Sequence, residues 1–332
     1  MKALVCETLG PPDTLRLIDA PEPVAGAGEA IVEVAYAALN FFDTLIIEGK
    51  YQVKPPLPFS PAGEFSGRIV ALGSAAAGFS VGDRVMGSVS HGAARQRIAV
   101  SVDRLHRLPE ELGLDRAAGL SIAYGTTLHA LEQRGEMKPG ETLVVLGASG
   151  GVGLAAVEIG ALMGARVIAC ASSDDKLVFA RSHGAAETIN YATSDLRAEL
   201  KRLGGAKGID VIYDPVGGAL TEVALRSLGW KGRLLVIGFA SGEIPRPPLN
   251  LTLLKGCDIR GVFWGDFVVR EPETSRANMS RLLCWAADGG LSAHVHAIHE
   301  PSDFLAAYQL IARREALGKV LLRMNPGIER KS

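Results

Sequence analysis

The first third of the chain alternates short apolar stretches with turn sequences. Residues 3–6, 15–18, 30–36, 65–72 and 95–100 are apolar or strictly alternating, and Gly10-Pro11-Pro12, Gly26-Ala27-Gly28, Gly49 and Gly82-Asp83 separate them. Brief alternation bounded by such breakers predicts strands. Many short strands in succession predict a compact, partly closed barrel. From about Leu120 the texture changes, and helical periodicities alternate with apolar runs at 143–146, Arg166–Ala171, 187–189, 211–213 and 234–237. That alternation predicts βαβ units and a parallel sheet covered on both faces. Two helices, 274–287 and 302–313, and a strand Lys319–Arg323 complete the pattern, with no internal repeat and no low-complexity linker.

Composition narrows the class. At about 150 residues per domain, 332 residues predict two domains. The 35 basic and 36 acidic side chains leave a net charge of −1, which offers nothing to nucleic acid or an anionic membrane. A 48% hydrophobic content excludes a disordered chain. The 39 glycines, against a usual ~7%, call for tight turns and close backbone approaches. The segment 143–157 is apolar, but Gly147, Gly150, Gly151 and Gly153 interrupt it; a buried strand turning into a buried helix accounts for it better than a membrane span. The opening apolar stretch is too short for a secretory signal, and Cys6, Cys170, Cys257 and Cys284 form no C-x-x-C pair. A reducing, cytoplasmic setting is expected.

The strongest local signal is Ala148-Ser149-Gly150-Gly151-Val152-Gly153, between the predicted strand Thr142–Leu146 and a helical pattern. It matches the dinucleotide fingerprint G-x-G-x-x-G with Ala148 in place of the first glycine. Small residues let the backbone approach a pyrophosphate, whose charge rests on N–H groups at the helix N-terminus. Ser149, Gly150, Gly151 and Val152 are therefore the candidate phosphate contacts; a tight turn without a ligand is the alternative. An NAD-binding fold carries an acid at the end of the next strand for the ribose 2′-hydroxyl. Here that strand ends in Ala171, Ser172 and Ser173, and Lys176 follows one turn later, placed to pair with a 2′-phosphate. NADPH is the cofactor these residues favour, with Asp174 and Asp175 read as ordinary first-turn acids of a helix.

Taken together, the run from Gly63 through Gly73 (Gly63-Glu64-Phe65-Ser66-Gly67-Arg68 and onward), Val81-Gly82-Asp83-Arg84-Val85 and the phosphate loop resemble the medium-chain dehydrogenase/reductase superfamily. Asn40-Phe41-Phe42-Asp43-Thr44 and Gly318-Lys319-Val320 are similar to its zinc-free NADPH:quinone oxidoreductase (zeta-crystallin-like) branch. The resemblance covers essentially the whole chain. It implies an α/β protein with a GroES-like β-barrel catalytic domain (1–122 and 265–332) and an inserted Rossmann domain with a doubly wound parallel sheet (123–264), the active site lying in the cleft. Zinc-dependent relatives hold their metal with a Cys and a His near the two N-terminal motifs; this chain has Asn40 and Gly63 there, and no cysteine-rich lobe. No metal site is expected. His294, His296 and His299 could share a strand face, but read as surface histidines.

The resemblance also assigns individual residues. Asn40 and Asp43 are expected to contact cofactor and substrate; equally, Asn40 looks like a helix N-cap with Asp43 as a first-turn acid. Tyr51 is the aromatic expected beside the substrate. Thr127 lies where relatives contact the nicotinamide, or is a buried helix threonine. Tyr191 resembles the tyrosine near the adenosine phosphate, or is a loop tyrosine. Phe239, Ala240, Phe263 and Trp264 follow strands at the sheet's carboxyl edge, where dinucleotides lie, or are core. Lys319 is a cofactor contact or a strand-edge charge. Leu45 and Ile47 replace a Tyr and an Arg of the branch and are expected to form an apolar wall.

Without zinc to polarise a simple carbonyl, hydride transfer favours an acceptor that delocalises the incoming electrons, a quinone or an enone. An enoyl thioester or other activated alkene is the alternative substrate, and NADPH binding without turnover the alternative function. The apolar run 249–254, followed by 258–263, predicts an open sheet edge and pairing into a homodimer.

Overall fold

The computed structural model describes residues 1–328. Two compact units emerge: Met1–Ile122 with Leu283–Ala287 and the described residues from Ala293 on, and Ala123–Leu282 with Asp288–Ser292. The expectation that the inserted domain ends at 264 is corrected by this division: residues 265–282 group with the parallel-sheet unit. The reason is packing. Phe267 stacks on His129 with ring centroids 3.8 Å apart, Asn278 donates to Gln133 at 3.1 Å, and Arg281 pairs with Glu132. The last residues of the expected C-terminal segment, 329–332, lie outside the described residues.

The first unit is built on a seven-stranded sheet in the order Val295–His299, Lys319–Arg323, Glu29–Leu39, Glu64–Leu72, Arg84–Ser88 and Leu105–Arg107, with Arg97–Ser101 also pairing on Glu29–Leu39. Glu29–Leu39 is the axis: eleven residues, mostly buried, antiparallel to three neighbours. Its inward side chains, with Leu4, Phe65, Val85, Ile98 and Leu322, form one core. Val295–His299 runs parallel to Lys319–Arg323. Parallel neighbours need a crossover, and the helix Phe304–Ala312 supplies it, burying Ala307 and Tyr308. His299 is out of phase with His296 along its strand, and its Nδ1 is 2.7 Å from Asp303, so the three histidines do not share a face.

The second unit is a six-stranded parallel sheet in the order Glu187–Asn190, Arg166–Ala171, Thr142–Leu146, Ile209–Asp214, Leu228–Val236 and Asp258–Gly261. Numbered along the chain, that is 3-2-1-4-5-6, the doubly wound order whose ligands bind at the carboxyl ends of the strands. The central strands Arg166–Ala171, Thr142–Leu146 and Ile209–Asp214 are buried almost throughout, as a sheet covered on both faces requires. No described helix is long and apolar enough to cross a membrane.

Candidate active site

In the barrel unit, the strand Glu29–Leu39 runs directly into a short helix, Phe41–Ile47, with Asn40 at its N-cap. Asp43 accepts the Asn40 backbone N–H at 2.8 Å, as the N3 acid of a capping box whose N-cap is Asn40. The Asn40 side chain has further partners. Its Nδ2 donates to Glu64 Oε1 at 3.0 Å, and its Oδ1 accepts from Lys319 Nζ at 2.6 Å. Lys319 Nζ also donates to Glu64 Oε1 at 2.6 Å, closing a three-membered ring of side chains. The other Glu64 oxygen accepts the backbone N–H of Ile122 at 2.8 Å. Glu64 is fully buried and Lys319 is 3% exposed; Asn40 is the member that reaches solvent. Gly119 makes room for the lysine stem, since a Cβ there would lie 2.8 Å from Lys319 Cγ.

Asp43 is buried beside this ring, and burial pushes its carboxyl up to about 7, against the pull of the Asn40 and Ala62 N–H groups and the Lys319 charge. Tyr51 stacks on Phe42 at 5.4 Å, and burial, then the Asp43 charge, hold its phenol above the usual range. Leu45 is partly exposed, but Ile47 has no accessible surface and belongs to the barrel core. The expected Leu45–Ile47 wall is therefore reduced to Leu45: on a seven-residue helix, Ile47 falls on the inward face.

The same geometry bears on metal ligation. A Cβ on Gly63 would lie 2.9 Å from the Phe42 ring, 3.1 Å from the Val89 carbonyl and 3.2 Å from Ile122, so the position is crowded, and glycine itself supplies no ligand. Asn40 presents an amide already committed to a cation and an anion. Among the described residues, no group of three His, Cys, Asp or Glu side chains is placed to hold a metal ion.

In the parallel-sheet unit, the chain leaves Thr142–Leu146 through Gly147, at φ +61°, and enters the helix Gly151–Leu162 with Gly150 as N-cap. The turn glycine is thus Gly147, one position ahead of the fingerprint alignment, and Ala148 is tolerated because it is buried with ordinary backbone geometry. Gly153 is the close-approach glycine: a Cβ there would lie 2.1 Å from the Gly147 carbonyl. Gly150 offers no capping side chain, so the first N–H groups of this helix face the loop as an anion cradle. Ser149 borders it, buried.

At the next strand end, Ala171 is buried, Ser172 is exposed, and Ser173 caps the helix Asp174–Ser182, whose first turn carries Lys176. Asp174 is held by Asn190 at 2.7 Å. Tyr191, partly exposed, follows Glu187–Asn190, its N–H bonded to the Ala171 carbonyl. Phe239 packs on Gly217, and the Ala240 N–H bonds to Pro215. Trp264 lies flat against Gly125, where a Cβ would meet the indole at 2.9 Å, and Phe263 is exposed. Thr127 has no accessible surface, and its hydroxyl is taken by the Ala123 carbonyl and Tyr213, both at 2.8 Å: the buried-threonine placement.

Two residues were not singled out from sequence. Asp214 is buried and shapes the loop after its strand by accepting the N–H groups of Val216 and Gly217 at 2.9 Å and the Thr221 hydroxyl. Glu64 anchors the ring; its signal is the one acid of its strand, placed at the start of the buried run Glu64–Gly67.

The two halves match known families separately. The profile described as "Alcohol dehydrogenase GroES-like domain" matches residues 26–113, and that of "Zinc-binding dehydrogenase" residues 151–283. A GroES-like barrel carrying a doubly wound sheet with a glycine phosphate loop defines the class, a two-domain oxidoreductase of the alcohol dehydrogenase type. The chain is 36% identical over 324 residues to quinone oxidoreductase-like protein 2 of Rattus norvegicus, covering 97% of this chain and 92% of that one. It is 32% identical to Homo sapiens quinone oxidoreductase over 79% and 80% of the two chains. The crystal structure of Escherichia coli quinone oxidoreductase complexed with NADPH superposes with a TM-score of 0.90 at 27% identity, over 97% of this chain and all of that one. The chain belongs to the medium-chain dehydrogenase/reductase family, in its quinone oxidoreductase branch.

Proposed function

We propose that this protein is a zinc-independent, NADPH-dependent reductase that delivers hydride to a quinone or a conjugated enone. The observation that carries the reading is the ring of Asn40, Glu64 and Lys319. Where zinc-dependent relatives place a thiolate and an imidazole, this chain has an amide pinned between two opposite charges and a glycine, which carries no donor, in crowded surroundings. That donor set does not fit tetrahedral zinc. The acceptor must then spread negative charge through its own conjugation.

The residues of the parallel-sheet unit fit NADPH. The Gly150–Val152 cradle suits a pyrophosphate, and Ser172, Ser173 and Lys176 suit a 2′-phosphate, with Ala171 where an NAD-binding acid would stand. The NADPH complex of the Escherichia coli relative supports this assignment. Bound there, NADPH supplies the hydride. Tyr51, its phenol kept protonated and its ring stacked on Phe42, offers a flat surface to a planar acceptor, with Leu45 beside it.

The test is NADPH consumption with a panel of quinones, enones, enoyl thioesters, simple ketones and alcohols, before and after exhaustive chelation. Turnover of quinones or enones, unchanged by chelation, is expected. Stoichiometric zinc lost together with activity, or efficient oxidation of ethanol-type alcohols, would overturn the reading. Tight NADPH binding with no turnover would favour a binding protein.

Assembly as a homodimer is part of the same proposal. Asp258–Gly261 is an open sheet edge, and Trp230, Leu249, Leu253 and Leu254 near it in sequence or pairing are more than 70% exposed. A second copy of this chain would cover that edge. The four free cysteines accord with a cytoplasmic setting.

A further inference from the structure

The orientation of the Asn40 amide is dictated by its neighbours. With Oδ1 on the Lys319 ammonium and Nδ2 on the Glu64 carboxylate, both contacts are attractive; a flipped amide would set its carbonyl against the carboxylate and its NH2 against the ammonium. Lys319 and Glu64 are both buried, so their fields act at low dielectric and are weakly screened. Each is itself fixed: Glu64 by the Ile122 N–H, and the Lys319 stem by its fit against Gly119.

An ammonium at an amide oxygen pulls the nitrogen lone pair toward the carbonyl, which raises the C–N double-bond character and makes the amide hydrogens better donors. One Nδ2–H is spent on Glu64. The second is the one the ring does not use, on the member of the ring that reaches solvent. The two charges cancel, so the ring polarises the amide without adding a net charge.

We propose that Glu64 and Lys319 are positioning residues that lock and polarise the Asn40 amide, so that its outer N–H is the hydrogen-bond donor to the acceptor's oxygen. The locking and polarisation stand on the ring alone; the role toward the acceptor rests on the reading of function above. As hydride adds to the acceptor carbon, the displaced π electron pair collects on the conjugated oxygen. Asn40 holds that oxyanion without releasing a proton, and water provides the proton that completes the reduction.

The chain has five asparagines, so protein labelled with 15N-asparagine gives few side-chain amide signals. In the unmutated protein, without cofactor, the signal lost in Asn40→Ala should carry protons downfield of the others. It should return to the common range in the charge-neutral double variant Glu64→Gln/Lys319→Met, which removes the ammonium from Asn40 Oδ1 and avoids an unpaired buried charge. An Asn40 signal within the common range, or one unmoved in the folded double variant, overturns the locking and polarisation. In turnover, the double variant should lose about ten- to a hundred-fold in kcat, with KM for the acceptor changed less than about threefold. A kcat within about threefold of the unmutated protein overturns the donor role. If the unmutated protein reduces no conjugated acceptor at all, the functional reading fails, and the spectra still decide whether the amide is locked and polarised.

Discussion

The ammonium of Lys319 and the carboxylate of Glu64 meet at 2.6 Å with almost no exposure to solvent, although 255 residues separate them in sequence. Removing one partner of such a pair strands the other in a medium that cannot solvate it. Lys319→Met alone should lower stability by about 3–5 kcal/mol, and Glu64→Gln/Lys319→Met by clearly less. Urea unfolding of the two variants checks this. Equal losses would mean that the pair is not coupled.

Asp43 gives stability a pH dependence of definite sign. Its carboxyl titrates near 7 in the folded chain against 3.8 ordinarily. Between those values the folded chain keeps a proton that the unfolded chain has released. Its contribution therefore falls as pH rises through that window, by up to about 1.4 kcal/mol per pH unit, and levels off above it. Asp43→Asn should remove this slope. Unfolding curves of the two proteins from about pH 4 to 8 should diverge; parallel curves would contradict the buried, raised carboxyl.

Cofactor preference should depend on Lys176. With Ala171 where a ribose-binding acid would stand, NADPH should bind more tightly than NADH, and Lys176→Glu should erode the difference by about 1–3 kcal/mol. Titration of both nucleotides by calorimetry measures it. Equal affinities in the unmutated protein would defeat the assignment.

Sedimentation at micromolar concentration should report a dimer. Leu253, 81% exposed next to the sheet edge, is the residue to disturb: Leu253→Asp should shift the protein to monomer with its unfolding midpoint as a folded monomer retained. An unmutated monomer would contradict the proposed pairing.

Most of the architecture could be read from the chain, because its signals are local. The apolar strand before Gly147, the helix after Gly150 and the alternation beyond Leu120 each announce themselves within a dozen residues. What escaped was nonlocal or too short to have a period. Glu64 acquires its meaning only from Lys319. Ile47 turns inward on a helix of seven residues, too few to define a face. Residues 265–282 join the parallel-sheet unit through Phe267 on His129 and Arg281 on Glu132, contacts that carry no local signature. The phosphate loop was displaced by one residue for a related reason: spacing finds glycines, while only φ distinguishes the one that must turn.

The strand Lys319–Arg323 pairs directly with Glu29–Leu39, yet the whole parallel-sheet unit is synthesised between them. At translation rates of about 5–20 residues per second, the 255 residues from Glu64 to Lys319 take about 13–50 s to emerge. Throughout that interval the nascent barrel holds an acid without its cation and a central strand without one of its neighbours. The inserted unit is nearly contiguous in the chain and can fold as it appears. The barrel that begins the protein is therefore the part that finishes last, and ribosome-bound chains stopped before Lys319 would expose it to chaperones while their second unit is already native.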